Sequence, residues 1–195
     1  MVITSPLMMP NEPQLCREMC QLGLPRLHLR KPGWSKSEAA TFLSRLDEGT
    51  LRSVVLHDWH ELADKFPVKG LHFTEKTRPS APFQHKPPLT ISTAFHDLSQ
   101  LQKDYGDLDY ALLSPIFDSI SKKGYQAAFD HATLAQTVAG FSVPLVALGA
   151  MILSVPAKSS LLHAKWHDRV KRSPNLQMAL LEHDRSPRHV YRGLP

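Results

Sequence analysis

Only two of the 195 residues are cysteine, Cys16 and Cys20, four apart in a stretch of helical pattern. That spacing is neither a zinc pair nor a redox motif, so half-buried thiols in a reducing compartment are expected rather than a disulfide framework. No apolar run approaches the roughly 20 residues needed to cross a bilayer. The N-terminus lacks a basic segment leading into an apolar one, which argues against a secretory signal and for a cytoplasmic protein. No Walker A loop, G-x-S-x-G elbow or Rossmann fingerprint occurs anywhere in the chain. Net charge is also scarce over most of its length. The net charge is +5, and residues 157–195 carry eight Lys/Arg against three Asp/Glu, so the first 156 residues are neutral. A neutral body with a basic tail suits an anionic ligand site and a solvated tail, not a nucleic-acid groove.

What is present is an ordinary globular composition, 42% hydrophobic and 21% charged, over a length that fits one domain. Short apolar runs alternate with longer amphipathic ones. Strands are expected at 1–4, 26–29, 53–56, 70–73, 89–93, 110–113 and 144–148. Helices are expected at 12–22, ended by Gly23; at 35–46, where Ser35 and Glu38 form a capping box; and at 59–66, 97–104 and 131–138. The segment 78–88 is rich in proline and stands as a loop where a helix is due. This alternation predicts parallel strands joined by right-handed crossovers, a TIM-type (β/α) barrel that stops at about seven strands. Chemistry in such a barrel gathers on the loops after the strands, and Arg30, Lys31, His57, Asp58, Thr74, Glu75, His96, Ser114 and Gly149 all lie there.

The most informative stretch runs from Asp109 to Gly124. The apolar Tyr110–Leu113 leads into a loop with Ser114, Ser119, Ser121 and Lys122, a set of hydroxyls and a cation suited to cradling a phosphate. The pattern resembles the strand-and-loop signature of the thiamine phosphate synthase/TenI family, D-Y-(apolar)-G-P-I-F-x-T-x-T-K. Ser114 stands at that family's glycine, Ser119 and Ser121 at its two threonines, and Lys122 at its lysine. The resemblance covers residues 1–150. Residues 151–195 depart from it as a basic, partly helical tail, with helices expected at 158–172 and 175–182. An alternative transcript or shifted reading frame is the expected origin of that tail, whose helices would cover the open edges of the seven-stranded sheet.

The resemblance implies roles for single residues. Arg30 stands where the family grips a pyrophosphate, a task suited to a guanidinium fork; the competing reading is a surface ion pair. Asp58 stands at a magnesium aspartate; the competing reading is a cap on the following helix. The second magnesium aspartate has no counterpart, because the run from Gly70 to Lys76 leads to Thr77. His96 stands where the thiazole tautomerase branch relays a proton on a thiazole carboxylate phosphate; a satisfied core or cap histidine is the alternative. Gly149 is the one glycine kept after the seventh strand, where the family has a pair. A metal cluster of His57, His60 and His72, and the His163/His167 pair, read more simply as surface histidines.

These implications favour a TenI-like tautomerase that binds a thiazole phosphate, with His96 as acid–base. A thiamine phosphate synthase using Mg2+ to release pyrophosphate is the first alternative. An inactive binding protein left by the altered C-terminus is the second. No nucleic acid and no membrane partner is expected, and a homo-oligomer is left open.

Overall fold

A computed structural model describes residues 1–84, 86–114, 136 and 140–147. Seven strands form one parallel sheet in sequence order: β1 Val2–Ile3, β2 Leu27–Leu29, β3 Val54–Leu56, β4 Gly70–Phe73, β5 Thr90–Phe95, β6 Tyr110–Leu113 and β7 Leu145–Ala147. Each pairs with the next, in registers such as His28↔Val55, Leu56↔Leu71, His72↔Ser92 and Ser92↔Tyr110. Among the described residues β1 and β7 do not pair with each other. The result is a curled half-barrel.

One hydrogen bond measures the curl. In a flat sheet, four strand spacings would separate β2 from β6 by roughly 19 Å. Instead, the hydroxyl of Tyr110 on β6 lies 2.8 Å from Nε2 of His28 on β2. The two strands face each other across the interior.

The outer face carries the apolar core. Leu27, Leu29, Val54, Leu56, Leu71 and Ile91 pack there against Cys16, Ala39, Phe42 and Leu43 of the helices. Helix α1, Glu12–Gln21, ends as expected at Gly23 (φ 91°). Leu24 N–H donates to Met19 O and Gly23 N–H to Cys20 O, a Schellman pair that needs the left-handed backbone glycine adopts freely. Helix α2, Lys36–Leu43, starts from the Ser35/Glu38 capping box, with both reciprocal hydrogen bonds made. A one-turn helix α3, Glu48–Leu51, is an addition to the expected elements, started by Asp47, whose side chain accepts from Thr50 N–H.

Two expected helices shrink to five-residue 3-10 turns, His60–Asp64 and Leu98–Gln102. Pro67 disfavours helical backbone in the residue before it, and Gly106 (φ 71°) turns the chain soon after the second. The proline-rich loop does take a helix's place as cover. Phe83 N–H donates to Tyr105 O and Asp107 N–H to Phe83 O, which lays the buried Phe83 ring 4.9 Å from Phe73. A Cβ at Gly106 would sit 2.3 Å from Phe83 O, so this contact requires glycine. The helix expected at 131–138, apart from Gln136, and the tail lie outside the described residues.

Candidate functional site

Alternation sets the site. With Leu27 and Leu29 facing the helices, His28 between them must face inward, and register carries Val55, His57, His72, Ser92 and Tyr110 to the same side. The interior is therefore polar where most parallel strands are apolar on both faces.

His28, His57 and His72 are all buried. Nδ1 of His28 lies 2.8 Å from Nε2 of His57, and the rings of His57 and His72 tilt together with centroids 4.2 Å apart. Ser92 sits behind His72, its Oγ 3.0 Å from Nδ1 and 3.3 Å from Leu71 O. Burial, then the nearness of His72, lowers the His28 pKa to about 3. Burial, His60 and Arg78 lower that of His72 to about 3, and His57 moves the same way through burial and its two neighbours. All three rings are neutral at neutral pH. The surface position expected for His57 and His72 does not hold, because strand alternation turns both inward. His60 stays apart from them, its Nε2 3.1 Å from His72 O and its ring 4.4 Å from Phe73. The third member of the cluster is His28, whose position flanked by Leu27 and Leu29 in a strand was the available signal.

At the C-terminal ends of β5 and β6, His96 and Ser114 come together. Nδ1 of the exposed His96 lies 3.0 Å from Ser114 O and 3.1 Å from Ser114 Oγ. A carbonyl can only accept, so Nδ1 carries a proton, and in the neutral ring the lone pair is then on Nε2. His96 is thus exposed and oriented by its Ser114 partner.

Arg30 follows β2, held by its backbone: its N–H donates to Thr4 Oγ1 and its carbonyl accepts from the same hydroxyl. The ion pairs among the described residues are Lys31–Glu12, Lys36–Glu61 and Arg52–Glu48, which leave Arg30 out. Its charge instead reaches His57. Asp58 does not cap the turn after it; the N-cap is Trp59 in left-handed backbone, with no side-chain cap. Lys31 is fully buried, its Nζ 2.6 and 2.7 Å from the Glu12 carboxylate and 2.9 Å from Leu7 O, and serves structure. Glu75 accepts from Gln100 Nε2. Ser119, Ser121, Lys122 and Gly149 lie outside the described residues.

A family sequence model described as thiamine monophosphate synthase matches residues 1–157. The chain belongs to that family. Among solved structures, it is similar to thiamine phosphate pyrophosphorylase from Bacteroides thetaiotaomicron, at 22% identity and TM-score 0.54, covering 93% of this chain and 98% of that one. It is also similar to thiamine phosphate pyrophosphorylase from Pyrococcus furiosus, at 18% identity and TM-score 0.59, covering 77% and 74%. No curated protein matches. Membership ties the chain to thiamine biosynthesis. No helix of the described residues is long and apolar enough to cross a membrane.

The family's magnesium is a poor fit to these residues. Magnesium takes oxygen donors in near-octahedral array. Asp58 is the one carboxylate at an expected metal position; at the second, the Thr77 hydroxyl is engaged by Thr74 N–H at 2.9 Å. The interior offers imidazole nitrogens instead.

Proposed function

We propose that the chain binds a thiazole phosphate at the rim of its half-barrel and acts as a TenI-like tautomerase, with His96 as the acid–base. The carrying observation is the His96–Ser114 pair, which engages Nδ1 of an exposed imidazole and so puts the lone pair of the neutral ring on Nε2. Tautomerisation of a thiazole carboxylate phosphate moves one proton between ring positions and breaks no phosphate bond. It requires a group that takes and returns a proton near neutral pH, and imidazole is such a group. His96 Nε2 would remove the ring proton, Nδ1–H would remain on Ser114 O, and the resulting imidazolium would return the proton at the second position. Arg30 supplies a cation at the rim for the substrate's anionic groups, and Ser119, Ser121 and Lys122 the phosphate contacts.

The synthase reading loses support from the poor magnesium fit, since pyrophosphate departure relies on that ion. The test follows solvent deuterium entering the thiazole carboxylate phosphate during its isomerisation. Isomerisation lost in His96→Asn, with ligand-induced thermal stabilisation retained, is the expected result. Magnesium-dependent pyrophosphate release from an aminopyrimidine pyrophosphate would move the chain to the synthases. Stabilisation by thiazole phosphate without either reaction would make it a binding protein. Lys122→Ala should abolish that stabilisation in every case.

A further inference from the structure

The inner histidines take no part in that chemistry, yet they are arranged for another. His28, His57 and His72 come from three neighbouring strands, and one ring nitrogen of each lies within 4.8 Å of the others. Hydroxyls hold the outward nitrogens of two of them. Ser92 Oγ–H reaches Leu71 O, so its oxygen accepts from Nδ1–H of His72 and leaves the lone pair on Nε2. Tyr110 OH lies at Nε2 of His28, so Nδ1 is the nitrogen turned to His57. Partners of this kind, fixing the far nitrogen of the ring, are what orient histidines that bind metals. Nδ1 of His57 is buried with no hydrogen-bond partner. The cluster is therefore polar, buried and not fully satisfied by its own contacts.

We propose that His28, His57 and His72 form a binding site for a divalent transition metal of the zinc class. Three imidazoles with an open fourth position are a recognised zinc donor set. With bonds of about 2.0–2.1 Å in tetrahedral array, ligand nitrogens stand roughly 3.3–3.4 Å apart. The present range, from 2.8 Å for His28–His57 up to the 4.8 Å limit, spans that value, so small ring rotations close the site. Nitrogen donors select zinc, cobalt, nickel or copper over magnesium. No carboxylate belongs to the cluster, so the bound ion keeps its full charge and draws an anionic fourth ligand such as hydroxide, carboxylate or phosphate. This site does not rest on the tautomerase reading, and its test needs no substrate.

The experiment titrates the full chain, stripped with chelator, with Co2+ and then Zn2+, followed by visible absorption and thermal unfolding. One equivalent of cobalt should produce the intense bands of four-coordination, zinc should displace them, and excess Mg2+ should not. His28→Gln and His72→Gln should each weaken binding by more than about a hundredfold, and Tyr110→Phe, which loosens a ligand's outer partner, by about tenfold. His60→Gln and the double variant His163→Gln/His167→Gln should bind as the wild type does. No stoichiometric band in the wild type would overturn the site, as would bands that persist in both His28→Gln and His72→Gln. Should those two variants fail to fold, unchanged cobalt affinity in both Tyr110→Phe and Ser92→Ala would overturn it equally.

Discussion

On the outer side of β2, Leu27 and Leu29 meet leucines and a phenylalanine from the helices; on the inner side, one residue away, His28 meets two histidines and a tyrosine. The same division runs along the sheet. Leu56, Leu71 and Ile91 face the helices, while Val55, His72 and Ser92 face inward. Both faces are buried, but by different physics. The outer face is stabilised by apolar area, which is insensitive to pH. The inner face is polar and stays buried because its imidazoles are neutral and bonded to each other and to hydroxyls. A sheet of this kind separates stability from chemistry by the side on which a residue emerges.

Acid should break the comparison most strongly. In metal-free protein, His28 and His72 take up protons only near pH 3, and His57 is likewise held down by burial, whereas in the unfolded chain each has its ordinary value near 6.5. Below about pH 6.5 the unfolded state therefore binds more protons, and stability falls as pH falls. The slope approaches about 1.4 kcal/mol per pH unit for each histidine, about 4 kcal/mol for three. Urea unfolding of chelator-treated protein at pH 7.5, 6.5 and 5.5 checks this. A flat response would mean that the inner face is open to water.

The outer face should break by truncation. Leu56 is fully buried in the larger core, and Leu56→Ala should cost about 2–5 kcal/mol at any pH between 5.5 and 7.5. Val55→Ala, next in sequence and equally buried but inward-facing, should cost less, because fewer methyl groups are lost and they face polar neighbours. Denaturant midpoints of the two variants decide it; equal losses would mean the faces are packed alike.

What the sequence made legible followed from short-range pattern. Strands Gly70–Phe73 and Tyr110–Leu113 match expectation to the residue, because each is an apolar run with a clear start at Gly70 or Asp109. The stop at Gly23 and the Ser35/Glu38 box were legible because caps are chemistry between residues one turn apart. The helices after β3 and β5 are shorter than expected, since amphipathic spacing does not count the turns lost to Pro67 and Gly106. The histidine cluster has His28 where sequence spacing suggests His60. Its contacts join residues 29 and 82 positions apart, and the curl that brings β6 over β2 is a property of the whole sheet. The family resemblance points to His96; its Ser114 partner follows the next strand, 18 residues on, and short-range pattern does not join them.

The smallest expected effect supplies the control, because it touches neither face. Ser35 is exposed at the start of α2; its Oγ accepts from Glu38 N–H while the Glu38 carboxylate accepts from Ser35 N–H at 2.7 Å. Ser35→Ala removes one half of this exchange and leaves a first-turn N–H to water, at a cost of about 1 kcal/mol. The loss should be the same at pH 7.5 and 5.5, since the hydroxyl does not titrate and the Glu38 carboxyl is held below its usual range by the hydrogen bonds it accepts from the Ser35 backbone N–H and hydroxyl. It should also leave cobalt binding unchanged, because α2 packs on the outer face. A variant destabilised this much with intact metal bands would separate general loosening of the fold from loss of the inner site. If Ser35→Ala weakened cobalt binding as much as Tyr110→Phe does, the two faces would be coupled, and the division between them would hold for packing but not for function.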